Sequence, residues 1–125
     1  IPTDEAFDLL RSRPVGRVAF VADGALQIFP VTYVVSDQRI AFQSSIGSKL
    51  DAAEMARAVA FEVDDWDVEA KAGWSIVVRG PIHPVTDPNR LAALDRLEHH
   101  PWLTDGDMKW VEITVADISG RRLPH

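Results

Sequence analysis

The sequence contains no cysteine. That excludes disulfides, thiolate metal sites and thiol nucleophiles, and it suits a reducing cytoplasm, where disulfides are rare. An excess of positive charge is missing as well: thirteen Lys plus Arg stand against nineteen Asp plus Glu, a formal charge of -6. Attraction to a phosphate backbone therefore has the wrong overall sign, and nucleic acid is not an expected partner. The opening residues Ile1-Pro2-Thr3-Asp4-Glu5 carry neither a basic n-region nor a long apolar stretch, so no signal peptide or membrane anchor is visible and no membrane is expected. Internal repeats, low-complexity tracts and long linkers are absent too. What remains is 125 residues, 46% apolar and 26% charged, with a mean hydropathy of -0.05. These values fit one soluble domain spanning residues 1–125, with a single core.

Local signals order that domain. Thr3 is positioned to cap a first helix, with Asp4 and Glu5 at its positive end, Arg11 and Arg13 at its negative end, and Ala6, Phe7 and Leu10 as the buried stripe. Pro14 and Gly16 end it. Arg17 to Ala22 reads as a strand, and Asp23-Gly24 supplies the positive-φ turn of a hairpin. The return arm, Ala25 to Val35, contains Pro30, whose missing N–H points to an edge, a bulge or a strand that switches sheets. After the turn at Ser36-Asp37-Gln38, Ile40 and Phe42 share one face of a further strand.

Leu50 to Arg57 reads as a short helix, with Ser48 as N-cap and Asp51 in the answering position of a capping box. Val59, Phe61 and Val63 alternate along the next strand. The acidic run Asp64-Asp65-Trp66-Asp67-Val68-Glu69 is expected to be a solvated connection. Gly73 to Gly80 is another strand, limited by Pro81 and Pro84. Asp87-Pro88 starts a helix carrying Leu91, Leu94 and Leu97 and ending near His100-Pro101. Beyond a polar bend around Thr104 to Asp107, Trp110 to Ile118 alternates as one final strand. Early hairpins without βαβ alternation favour a mainly β (α+β) class, an antiparallel barrel with peripheral helices.

Among polar segments, Gln43-Ser44-Ser45-Ile46-Gly47-Ser48-Lys49 stands out, because hydroxyls, loop amides and the Lys49 ammonium beside a helix start suit a phosphate. An ordinary loop closed by a Ser48–Asp51 cap is the plainer alternative, and the Walker spacing is absent. His99-His100 cannot readily present both rings to one ion, His83 and His125 complete no zinc spacing, and the acidic run lacks the glycine of an EF-hand, so no metal site is expected. With no G-x-S-x-G elbow, no catalytic nucleophile is identified. Trp66, Trp74, Trp102, Trp110 and Tyr33 offer aromatic surface for a planar ligand, a core or an interface.

Taken in order, Gly16-Arg17-Val18-Ala19, Pro30-Val31-Thr32-Tyr33, Phe42-Gln43-Ser44 with Gly47-Ser48-Lys49, Gly73-Trp74-Ser75-Ile76-Val77-Val78-Arg79-Gly80 and Ser119-Gly120-Arg121-Arg122-Leu123 form an informative series. They resemble the pyridoxamine 5'-phosphate oxidase-like FMN-binding split-barrel family over nearly the whole chain. The resemblance implies a six-stranded split β-barrel with peripheral helices and a homodimer that binds FMN in clefts between its subunits. It implies that Pro30, Val31 and Thr32 meet the flavin, that Gln43, Ser44, Ser48 and Lys49 meet its ribityl phosphate, and that Trp74 and Ser75 contact the flavin from the later strand, across the dimer.

True oxidases of that family carry an R-x-H tail that helps hold pyridoxamine phosphate. Here Arg122-Leu123-Pro124-His125 has a proline between leucine and histidine. The resemblance is therefore closer to the small, diverse bacterial members, some of which use a deazaflavin. It implies a cytoplasmic flavin oxidoreductase relaying hydride or electrons between a small-molecule electron donor, a nicotinamide, and an organic acceptor. The alternatives are a noncatalytic flavin-binding, storage or sensing module and a deazaflavin-dependent reductase.

Overall fold

The computed structural model describes residues 1–46, 50–97 and 108–124. Helix α1, Thr3–Arg11, has Asp4 and Glu5 in its first turn, Arg11 in its last, and Ala6, Phe7 and Leu10 buried. Its start differs from expectation: Pro2 occupies the N-cap, Thr3 is already helical, and no side chain caps the helix. Proline's restricted φ sets the entry instead.

Strands β1, Val15–Ala22, and β2, Ala25–Thr32, pair along their whole length. Asp23 and Gly24 both have positive φ, the geometry a tight two-residue hairpin requires. At Tyr33 the arm changes allegiance, and β3, Val34–Ser36, pairs with β4, Arg39–Ser44. The Pro30 arm thus switches sheets, as its composition suggested. Tyr33 marks the seam: its hydroxyl donates to the Leu10 carbonyl, its ring lies edge-on to Phe61 at 4.9 Å, and burial holds the phenol above its usual range.

Helix α2, Ala52–Ala56, is capped by Asp51, not by Ser48. Asp51 accepts from the Glu54 N–H at 2.7 Å, and Glu54 accepts from the Asp51 N–H at 3.1 Å. The box lies three residues later because Asp51-x-x-Glu54 supplies both partners; Ser48 itself lies outside the described residues. Strands β5, Ala58–Asp67, and β6, Ala72–Pro84, pair from Ala58↔Pro81 to Asp67↔Ala72. Asp64 to Asp67 are therefore strand, and the expected connection is confined to residues 68–71. A projecting hairpin arm satisfies these backbone groups while leaving most of the carboxylates in water.

Helix α3, Pro88–Asp95, begins on an Asp87 cap but stops at Arg96, short of the expected His100-Pro101. Leu94 is buried, Leu91 partly so, and Leu97 is exposed, because Val34, Ala41 and Trp110 give the helix only a short seat. His99, His100, Trp102, His125 and the bend from Thr104 to Asp107 lie outside the described residues.

The last expected strand is two: β7, Lys109–Thr114, and β8, Asp117–Leu123. β7 pairs with β4 and with Ile82–Pro84 of β6, whereas β8 pairs with Gly73–Arg79. Between them the Ala116 N–H donates to the Arg79 carbonyl at 2.9 Å. The crossover passes over Gly80, where a Cβ would lie 1.7 Å from the Thr114 oxygen. The path is β2-β1-β5-β6-β7-β4-β3, with β8 beside β6. It is the expected split barrel, its eight strands among the described residues forming six arms once the breaks at Tyr33 and Val115-Ala116 are bridged. Val18, Phe42, Phe61, Ile76, Val78 and Ile113 centre its core.

Candidate functional site

Register places the expected flavin contacts on different faces. Pro30, Arg17, Glu62, Val77 and Ser119 form one row across β2, β1, β5, β6 and β8. Two residues along, Thr32 and Ser75 point to that same outer face, since alternate residues share a face. Val31 and Trp74 have the opposite parity: Val31 packs against the core and Trp74 belongs to it. Ser44, at the end of β4, also points inward, and its hydroxyl accepts from the Ile46 N–H at 3.1 Å. Gln43 lies on the other face of β4, opposite Trp110, and Ser44 lies opposite Lys109. Ser48 and Lys49 lie outside the described residues.

The helix start expected to join a phosphate is closed by the Asp51–Glu54 cap. Lys109 is a cation at this corner that sequence reading did not include. At the other end of the path, β2 pairs only with β1 among the described residues. On its outer edge the Pro30 carbonyl can meet the polar rim of a planar heterocycle, while Val31 faces Gly16 of β1.

The outer face of β1 and β2 is apolar, with Leu26 and Ile28 79% and 68% exposed. Deeper in this face, Arg17 approaches Glu62 at 3.6 Å, and Glu62 Oε1 is buried without a hydrogen-bond partner among the described residues. Burial first, then the hydrogen bond and charge of Asp64, raise the Glu62 carboxyl to about 7 against the pull of Arg17. Folded protein therefore holds this proton where unfolded chain has released it. Stability contributed by the neutral acid is lost as pH rises from the ordinary carboxylate range to about 7, and the loss is complete above that. Glu62→Gln should remove this slope and stabilise the protein at pH 8 by ~1 kcal/mol, a discounted value because a third of the side chain meets water. Urea titrations of both proteins at pH 5 and pH 8 check it; parallel losses would refute it.

A second polar cluster escaped sequence reading. Glu112, in β7, is 2% exposed and accepts from Arg90 Nη2 at 2.6 Å, Arg90 Nε at 2.8 Å and Arg39 Nη1 at 3.1 Å, with His83 Nε2 at 3.6 Å. Alternation along β7 puts Glu112 on the face opposite Val111 and Ile113, which reads as solvent until α3 and its Arg90 cover it. Among the described residues, no three His, Asp or Glu side chains form a metal-binding group, and no helix is long and apolar enough to cross a membrane.

Comparisons with known proteins agree with this architecture. The family profile described as Pyridoxamine 5'-phosphate oxidase matches residues 2–122. An uncharacterized protein of Mycobacterium tuberculosis, Rv0080, is 35% identical over 125 residues, covering 96% of this chain and 82% of that protein. The FAD binding protein from Mycobacterium smegmatis superimposes with a TM-score of 0.81 at 36% identity, covering 98% of this chain and 95% of that one. A candidate pyridoxamine 5'-phosphate oxidase of Corynebacterium glutamicum does so with a TM-score of 0.83 at 31% identity, over 98% and 95% of the two chains. With the profile running from Pro2 to Arg122 over a split barrel, the chain belongs to the pyridoxamine 5'-phosphate oxidase-like split-barrel family.

Proposed function

We propose that this chain binds a flavin nucleotide and acts as an oxidoreductase, relaying hydride or electrons from a nicotinamide donor to a small organic acceptor. The observation that carries the reading is near-full-length similarity, at 36% identity, to the FAD binding protein of M. smegmatis, together with the polar β4 corner. FMN is the proposed cofactor; FAD and a deazaflavin are its competitors. FMN and FAD share the riboflavin 5'-phosphate that Gln43, Ser44, Ser48 and Lys49 would hold. The net charge of -6 does not oppose this, because the local field decides binding.

The bound flavin would supply the redox chemistry. The protein's part is to seat the phosphate, present the β2 edge to the ring and keep water away. No acid–base triad is required for that. A homodimer is part of the same proposal: the proposed contacts lie on different faces of one chain, and Leu26, Ile28 and Val21 form an exposed apolar strip of the kind that commonly marks an interface. Ser75, on the outer face, would then serve the site of the partner copy, whereas Trp74 backs that strand from the core. The absence of cysteine favours a cytoplasmic setting.

Purified protein should carry or take up FMN with a flavin absorption spectrum. Ser48→Ala combined with Lys49→Ala should weaken FMN about tenfold or more, since charge-assisted contacts are lost. Equal affinity for FMN and riboflavin would refute the phosphate assignment. Parallel titrations with FAD and a deazaflavin rank the cofactors. Anaerobic reduction by NADH or NADPH tests the redox role; bound flavin that stays oxidised with every donor would make the protein a noncatalytic binding module.

A further inference from the structure

We infer that the cleft between α3 and the face of β4, β6 and β7 binds a small organic carboxylate, with Arg39 as its donor and His83 beside it. The cleft has a volume of about 470 Å³ and is lined by Arg39, His83 and Asn89 together with the apolar Pro84, Val85 and Ala93. A volume of this size falls within the range of small-molecule sites. It lies beside the Glu112 cluster, away from the β2 edge and the β4 corner, and does not depend on the flavin reading.

The hydrogen bonds show which groups are spent and which are available. Arg90 is committed: beyond Glu112 it donates to the Ser36 hydroxyl at 3.0 Å, the Ser36 carbonyl at 3.2 Å and Asp37 at 3.3 Å. It fastens α3 to the β3–β4 turn and has little left to give. Arg39 differs: among the described residues its guanidinium gives one hydrogen bond, to Glu112 Oε1, and its side chain is 43% exposed. His83 leans on the same Glu112 oxygen at 3.6 Å and is equally exposed. Glu112 thus holds both groups at the cleft wall while leaving Arg39 N–H donors for a ligand.

A guanidinium fork matches a carboxylate in two parallel hydrogen bonds. Asp37 and Asp87 at the rim disfavour a doubly charged anion, so a carboxylate fits better than phosphate. A cation would find both Glu112 oxygens already occupied. The strip of Pro84, Val85 and Ala93 would take the apolar body of the molecule.

The test titrates ¹⁵N-labelled protein with benzoate, its neutral analogue benzamide, and inorganic phosphate. Saturable shifts at Asn89, Ala93 and the Arg39 side chain are expected with benzoate, at least ~tenfold weaker with the other two. Arg39→Lys keeps the charge beside Glu112 but loses the fork, and should weaken benzoate about tenfold with flavin uptake and the unfolding midpoint unchanged. Ala93→Phe, which fills the cleft, should abolish binding by a route independent of charge. Absence of saturation, equal affinity for benzamide or phosphate, indifference to both substitutions, or shifts centred on Gln43 and Ser44 would each overturn the proposal.

Discussion

Glu112→Ala is expected to cost about 3 to 5 kcal/mol of folding free energy, the range for removing one partner of a buried ion pair. The reason lies less in the lost carboxylate than in what it leaves behind. Arg90 is only 10% exposed, so its charge would remain largely out of water with Asp37 and Ser36 as its remaining partners. Arg39 and His83 would lose their shared anchor, and with it one tie joining α3, β4, β6 and β7. With a urea dependence of about 1 to 3 kcal/mol per molar for a domain of this size, the midpoint should fall by ~1 M or more. The combined change Glu112→Met with Arg90→Leu should recover much of the loss, since an apolar pair leaves no orphaned charge. A midpoint that Glu112→Ala leaves in place would show that the network stabilises nothing.

Gly80→Ala is expected to be nearly as severe. The added Cβ would sit 1.7 Å from the Thr114 oxygen and 2.9 Å from its carbonyl carbon, both backbone atoms that cannot turn aside. Overpacking against mobile side chains costs about 1 to 3 kcal/mol, and a backbone clash belongs at or above the top of that range. The structure can yield only by parting β6 from the β7–β8 crossover. Hydrogen exchange should then show lost protection at the Ala116 N–H, whose acceptor is the Arg79 carbonyl. Gly24→Ala provides the contrast: nothing lies within 4 Å of its Cβ, and its positive φ alone should cost about 1 kcal/mol. If the two substitutions lower the thermal midpoint equally, the close approach at Gly80 is not what demands glycine there.

Much of the barrel could be read in advance where the governing physics is local. Asp23-Gly24 specifies its own hairpin through the φ angles it tolerates, and Asp87-Pro88 starts α3 by capping and ring geometry. Ala6, Phe7 and Leu10 declare their buried face by spacing. Pro30 announced a disturbed strand, because a missing N–H is a property of the residue wherever it is placed. The series of blocks from Gly16 to Leu123 carried the family as well, and with it the proposed flavin contacts.

Other features depend on what each segment is laid against. Trp110 to Ile118 alternates as one strand, yet it breaks where the crossover must pass Gly80, a constraint set by β6 some thirty residues earlier. The acidic run reads as a loop until β6 supplies backbone partners for it. Sequence reading placed the cap at Ser48 with Asp51 answering it, whereas Asp51 itself caps α2, a difference local sequence does not resolve.

The amino-acid order by itself determined the turns, the helix stripe, the barrel class and the family, since dihedral preference and periodicity act within a few neighbouring residues. Only the tertiary structure decided that Trp74 enters the core, that Glu112 is buried under α3, and that Arg39 and His83 meet at one wall of a cleft. Burial and charge pairing arise between elements distant in the chain, so no window along it contains them.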